Sequence, residues 1–436
     1  MGEYSGIYVG GKEIFTYRNE MHLELEDLFS RQEATYLVGE DAVPYSSAWH
    51  AGNLDCEVGD VEVYGLCASI GALKERLNTL GFGYQVMQSS VRRLLKEEIE
   101  QSKRFLEQYE GRKTASRFQE SLRRKIQDLS NLNFEEWQAR VSSHIAKKQI
   151  SSPDWRESGP LDIFQGADSR ILMRVLVEHF PDDFRIFLDL TDYIEDAYPI
   201  NEAGEWMPVW QLDAAPPIVI TEGSFDAAVL RSAIAILRPH LAPYIRFLDY
   251  SVGNEGGAAA AVRTLKSFAA AGISHRIVAI FDNDSAAYEA VLALRPNSIP
   301  AHYGVMHYPH LPLAEAYPTL GPQGDSVMDV NGLAGSIELY LGRDVLEGEN
   351  GTLAPVQWKG YMHKVGAYQG EVTNKGPLQN AFRAKVDEAL ANPEVARRQD
   401  WSGLELILDA LVEKLSNLPA ARPYVAPLSI ADFTGD

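Results

Sequence analysis

The pattern of apolar and polar positions changes character along the chain. From residue 1 to about 80 it alternates with a period of two. "GIYVGGKEIFTY" (6–17) holds two short alternating runs on either side of Gly10-Gly11, which predicts a β-hairpin. "DVEVYGLCAS" (60–69) predicts a further strand. From about 85 to 150 the period becomes helical. "SVRRLLKEEIEQSKRFLEQYEG" (90–111) is amphipathic with Gly111 as its stop, and "NFEEWQARVSSHIAKKQ" (133–149) is a second helix with Asn133 as its cap. The turn formers of "SSPDWRESGP" (151–160) predict a linker. A helix "ADSRILMRVLVEHF" (167–180) and a strand "DFRIFLDL" (183–190) follow.

From Pro216 the two periods alternate regularly. The strands are "PIVITEG", "YIRFLDYS" and "RIVAIFD"; the helices are "SFDAAVLRSAIAIL", "GGAAAAVRTLKSFAAAG" and "SAAYEAVLAL". Strands alternating with helices of this length predict βαβ units, and continuous apolar strands predict a parallel sheet covered on both faces. The expected fold class is therefore α/β, a Rossmann-like parallel sheet flanked by helices, preceded by an α+β region and a helical middle region. The boundaries read as 1–105, 106–205, 206–400 and 401–436. There is no internal repeat and no low-complexity tract.

Length supports this division, because 436 residues exceed what one compact core holds. No apolar run approaches the ~20 residues that span a bilayer, and the start of the chain has no secretion-signal pattern. With two cysteines, Cys56 and Cys67, neither a four-thiolate zinc site nor a disulfide framework can form. A reducing cytoplasm is the expected compartment, with both thiols as small apolar fillers. The net charge of −21 argues against a general polyanion binder. The local exception is Arg92 to Lys125, where eleven basic residues outnumber six acids. A solvated helix face laced with i,i+4 pairs explains it; so does a phosphate-binding surface, for which Arg92 and Arg93 are the candidates.

Candidate chemistry sits where the regular strands end. Ligands of open α/β sheets bind beyond the carboxyl ends of the strands. Glu222 follows "PIVI", with Asp226 four residues later in the first helical turn. Asp282 and Asp284 terminate "IVAIF". "GSIELYL" adds Ser336 and Glu338. Any one of these acids alone reads as a helix cap. Together, carboxylates this close repel one another and require a cation. Hard oxygen ligands select Mg²⁺ or Mn²⁺, and two such ions suit displacement at a phosphodiester. A lysine would add charge at the transition state; Lys375 is the candidate, with Lys359, Lys364 and Lys385 as competitors.

At these residues the chain resembles the Toprim domain shared by topoisomerases, primases and related nucleases, which places a Glu after one strand and Asp-x-Asp after another. Asp226, the "SIE" of Ser336 to Glu338 and a downstream lysine are similar to the overcoming-lysogenization-defect type of Toprim nuclease. The resemblance implies that Glu222, Asp226 and Asp282 hold one metal, that Asp284 and Glu338 help hold a second with Ser336 nearby, and that Lys375 stabilises the transition state. "MGEYSGIYVGGKEIF" resembles the opening of the HEPN/Toprim-associated N-terminal domain, found ahead of effector domains in bacterial proteins linked to phage defence. The implied function is a metal-dependent nuclease acting on DNA in an antiviral system. The competitors are an RNA- or tRNA-cleaving toxin and a silent module that binds nucleic acid or a partner. No ATPase motif occurs, so nucleotide gating would require an activating or sensor partner protein; self-association is also compatible with the sequence.

Four other signals carry less. Arg174 and His179 have R-x4-H spacing, but a helix exposing the first and partly burying the second explains them. His302, His307 and His310 do not share one strand face. "SVGNEGG" matches no dinucleotide or P-loop pattern, and a phosphate contact at the helix it precedes is a weak alternative to a tight turn. "WKGYMHKVGAYQGEV" interleaves aromatics with Lys359 and Lys364, as a base-stacking surface or a packed hairpin would.

Overall fold

A computed structural model describes residues 4–18, 23–30, 33–50, 52, 56–109, 116–147, 159–164, 167–193, 216–251, 253, 255–294, 299–348 and 351–419. Gly111, most of the expected linker and the tail from 420 lie outside them. The chain divides into two compact units, Met1–Asn78 with Phe82–Ala214, and Thr79–Gly81 with Ala215–Asp436.

The first unit is built on an antiparallel five-stranded sheet of β1 (Tyr4–Val9), β2 (Lys12–Arg18), β3 (Ala34–Val38), β4 (Glu62–Ser69) and β5 (Arg185–Asp189), in the order β2-β1-β5-β4-β3. The β1–β2 hairpin turns through Gly10 and Gly11, both at positive φ (59° and 73°), as a two-residue primed turn demands. Helices α1 (Ile70–Leu80), α2 (Tyr84–Gln108), α3 (Ser116–Ser130), α4 (Phe134–Lys147) and α5 (Ser169–Val177) lie between β4 and β5 in sequence. Asn133 starts α4 with a reciprocal capping box: its Oδ1 accepts from the Glu136 N–H at 2.8 Å, and the Glu136 carboxylate accepts from its own N–H. A break at 105 would cut α2 and remove the central strand, because β5 pairs with both β1 and β4.

The second unit carries the parallel sheet. β6 (Ile218–Ile220), β7 (Arg246–Phe247), β8 (Ile277–Phe281) and β10 (Tyr303–His307) run parallel in the order β10-β8-β6-β7. They are joined by α6 (Ser224–Leu237), α7 (Ala258–Ala270) and α8 (Ser285–Val291). Every residue of β8 is buried, because alternate side chains enter different cores. Val278 and Ile280 pack with α6 and the C-terminal helix α10 (Ser402–Asn417); Ile277, Ala279 and Phe281 pack with α7 and α8. The first and third strands of the series, β6 and β8, are neighbours, which makes their carboxyl ends the switch point of the topology.

A second sheet in the order β12-β11-β14-β15 comprises β11 (Tyr317–Gly321), β12 (Gly324–Met328), β14 (Val356–Met362) and β15 (Ala367–Val372). A short antiparallel bridge joins β9 (Asn283–Asp284) to β13 (Ala334–Gly335), pairing Ala334 with Asp284 and Gly335 with Asn283. This bridge brings "SIE" to the end of β8. "GSIELYL" reads from its sequence as the start of a helix, but the structure has only a 3-10 turn there, Ile337–Tyr340. Helix α9 (Lys375–Ala391) follows β15. Of the two expected apolar fillers, Cys56 is instead exposed, and Cys67 is half-buried with its sulfur accepting from Arg185.

The bridge requires glycine at 335. A Cβ there would lie 2.6 Å from the Asn283 carbonyl oxygen and 2.8 Å from its Cβ. Gly335→Ala is expected to destabilise the protein by about 1–3 kcal/mol, the usual range for overpacking. Gly360→Ala, with nothing within 4 Å of the added methyl, is the control. Thermal melting of both variants checks this, and an unchanged melting temperature for Gly335→Ala would refute it.

Candidate active site

Each acid singled out in the sequence stands at a strand end or helix start in the second unit. Glu222 follows β6 by two residues. Its Oε1 accepts the Asp282 N–H at 2.9 Å, so the acid after one strand holds the backbone leaving the next. The Ala258 N–H at the start of α7 also donates to the Glu222 carboxylate. The helix end considered for a phosphate is thus occupied by the protein's own carboxylate. Asp226 lies in the first turn of α6, and its Oδ1 accepts from the Tyr308 hydroxyl at 3.1 Å.

Asp284 caps α8, as the bland reading of a lone acid expects: its Oδ1 accepts from the Ala287 N–H at 2.8 Å. Its Oδ2 accepts from Gln369 Nε2 at 2.6 Å. Glu338 is 3% exposed; Ser336 Oγ donates to its Oε2 at 2.7 Å and Gln379 Nε2 to its Oε1 at 3.1 Å. Asp282 differs from the others. Its Oδ1 is sealed from solvent and has no hydrogen-bond partner.

Burial and charge act together on these groups. Burial, and then the charges of Glu222, Asp226, Asp284 and Glu338, push the Asp282 carboxyl well above the usual carboxylate range. Burial pushes Glu222 up to about 7, with Asp284 and Asp226 adding to the shift. Burial likewise pushes Asp226 up to about 6, with Glu338 adding and Lys375 opposing. Among the described residues no group of three or more His, Cys, Asp or Glu side chains converges in an arrangement that could itself hold a metal ion. Most of the oxygens are engaged by protein donors instead.

The four lysines separate cleanly. Lys375 Nζ lies 3.6 Å from Glu338 Oε2 and 3.3 Å from Glu371 Oε1. Burial would lower its pKa, but Glu338, Glu371 and Asp282 outweigh burial and raise it. Lys359 pairs with Glu371 at 3.3 Å and Lys364 with Glu289 at 2.9 Å. Lys385 is buried, bonded to Asp344 and the Leu341 carbonyl and seated over the Trp401 ring. Lys375 also stands at the first position of α9, where the helix dipole disfavours a cation. The preceding Asn374 has φ of 58°, the single positive φ among described non-glycine residues.

Sequence reading missed Tyr308, Gln369 and Gln379, which hold three of the acids. Tyr308 had a signal: it follows β10 directly, at the same sheet edge. The glutamines had none, being single polar residues contributed from β15 and α9.

Of the other candidates, Arg92, Arg93 and Arg174 belong to the first unit, and His307 borders the acid group through the Asp282 carbonyl. Arg92 seats its guanidinium over the Phe134 ring at 5.8 Å, and Arg93 pairs with Glu97 at 3.4 Å, one of the i,i+4 pairs of a solvated helix face. Arg174 was expected to be exposed, but it is buried because Glu178, Asn78 and the Lys74 carbonyl draw it inward. His302, His307 and His310 contact the Ile273 carbonyl, the Asp282 carbonyl and Asn331 respectively.

Comparison with known proteins adds one finding. Residues 1–202 match the family model of HEPN/Toprim N-terminal domain 1. The chain carries a HEPN/Toprim-associated N-terminal domain. The match runs far enough to include β5, the central strand of the first sheet. No curated protein and no solved structure matches the chain.

The raised carboxyls fix a sign for pH dependence. With Glu222 near 7 and Asp226 near 6 when folded, the folded state keeps protons that the unfolded chain releases near pH 4. The stability these groups contribute is present at low pH and is lost as pH rises from about 4 to about 7. In chelator, the melting temperature is expected to fall across this window, and Glu222→Gln, which keeps the acceptor for the Asp282 N–H, is expected to flatten the fall. Identical slopes for the two proteins would contradict the assignment.

Proposed function

We propose that this chain is a divalent-metal-dependent Toprim nuclease that hydrolyses DNA phosphodiester bonds and serves as an effector of prokaryotic antiviral defence. The observation that carries the reading is the buried Asp282 oxygen with no partner, which stands at the switch point of a parallel sheet and feels the charges of Glu222, Asp226, Asp284 and Glu338. The HEPN/Toprim-associated N-terminal domain is compatible with a nuclease-related role. The defence role rests on the company such domains keep.

The chemistry of the donor set suits Mg²⁺ or Mn²⁺, and binding would require several carboxylates to exchange their present protein donors for the ion. The set is all hard oxygen, it carries excess negative charge, and the orphaned Asp282 oxygen lacks the positive partner that a buried acceptor requires. Glu222, Asp226 and Asp282 would hold one ion; Asp284 and Glu338 would help hold a second, with Ser336 orienting Glu338. The bound metal would supply an activated water and neutralise the leaving oxygen. The chain's own part is positional. Glu222 fixes the Asp282 backbone, Tyr308 orients Asp226, and Gln369 and Gln379 orient Asp284 and Glu338. Lys375, held charged by Glu338 and Glu371, stands ready to stabilise the extra charge on the phosphoryl oxygens.

Digestion of supercoiled plasmid, linear DNA and total tRNA with Mn²⁺ or Mg²⁺ tests the reading, with any activating partner supplied. Plasmid cutting is expected, to be abolished in Asp282→Asn and lowered about 10²–10³-fold in Lys375→Ala, the usual loss for one charge-stabilising group. Cutting of tRNA alone would replace DNA with RNA as substrate. Undiminished cutting by Asp282→Asn would overturn the site.

A further inference from the structure

The hairpin of β14 and β15 lies against the acid group and exposes aromatic surface that its own pairing does not need. Tyr361 and Tyr368 face one another across the two strands. Their ring centroids are 5.1 Å apart at 69°, yet the residues are 45% and 58% exposed. The His363 ring meets Tyr361 edge-on at 5.2 Å. Buried aromatics are core; a pair held this open leaves ring faces in water, at a cost that a ligand would relieve.

Charge favours a polyanion here. In a chain of net charge −21, residues 356–372 hold two lysines and a single acid, and the ammonium groups of Lys359 and Lys364 stay exposed while they pair with Glu371 and Glu289, so phosphate can compete for them. The hairpin is also tied to the candidate ligands. Gln369 Nε2 donates to Asp284 Oδ2 at 2.6 Å, and its Oε1 accepts the Ala286 N–H at 2.9 Å. Ser285 Oγ donates to the Tyr368 carbonyl at 2.8 Å. Tyr368 therefore stands one residue from the side chain that orients Asp284. Aromatic faces beside cations are the chemistry that receives nucleobases with their phosphates. Duplex DNA hides its base faces in the stack, whereas unpaired nucleotides present them.

We propose that Tyr361 and Tyr368 form a stacking platform for single-stranded DNA, which makes unpaired DNA the substrate delivered to the neighbouring carboxylates. The delivery step rests on the nuclease reading; the binding itself does not. Fluorescence anisotropy with a labelled oligothymidylate of about 15 nucleotides, against a duplex of equal length, tests it. The buffer holds Ca²⁺, and gels check that the probes stay intact. The single strand is expected to bind more tightly than the duplex. Tyr361→Ala/Tyr368→Ala is expected to weaken single-strand binding by about tenfold or more, given typical base–aromatic stacking, and to leave duplex binding unchanged. Tyr361→Phe/Tyr368→Phe, which keeps the rings, is expected to bind as wild type does. Wild-type affinity in the alanine variant, equal loss in the phenylalanine variant, or a duplex bound as tightly as the single strand would each overturn the platform. Weaker binding in the alanine variant alongside undiminished cutting by Asp282→Asn would preserve the platform and refute the nuclease reading. Abolished cutting by Asp282→Asn alongside unaltered binding in the alanine variant would do the reverse.

Discussion

The structure of the second unit depends on the mutual repulsion of carboxylates held close together in a partly buried place. Asp282 experiences four neighbouring acids, and one of its oxygens has neither solvent nor a donor. An isolated buried carboxylate is costly, and a group of them more so. A fold holds such an arrangement on a stiff framework and relieves it by keeping protons, as the raised carboxyls do, or by taking a positive partner. The framework is the sheet edge: β8 is buried on both faces, so the backbone delivering Asp282 and Asp284 has little freedom to relieve the repulsion by moving.

The local departures from sequence preference support the same view. A lysine begins α9, where the helix dipole opposes it, behind an asparagine in the left-handed region. The gain is that its ammonium stands within 4 Å of Glu338 and Glu371. Gly335 permits β13 to approach Asn283 closely enough to carry Ser336 and Glu338 to the end of β8. Natural sequences break local rules of this kind where function requires it.

Much of this was legible in the sequence because it follows from periodicity and from one topological rule. The βαβ alternation announced the parallel sheet, and the rule about strand ends located Glu222, Asp282 and Asp284. The helix of Ser224–Leu237 coincides with the expected segment. Long-range pairing was not legible. β5 enters the first sheet between strands more than a hundred residues away in sequence, so a reading along the chain assigned it to a connecting region. The β9–β13 bridge is two residues long on each side and has no periodic signature. Tyr308, Gln369 and Gln379 act through single contacts that only the folded chain creates. Arg174 was misjudged because its partners come from a different helix, where Asn78 and the Lys74 carbonyl await it.

The central claim is that a divalent cation completes this carboxylate group. Anomalous diffraction from crystals soaked in Mn²⁺ tests it most directly. The account predicts anomalous density in ligand contact with Glu222 and Asp282, the orphaned Asp282 oxygen among the ligands, and its loss in Asp282→Asn crystals. Density confined to other surfaces, or a site that persists unchanged in Asp282→Asn, would contradict it.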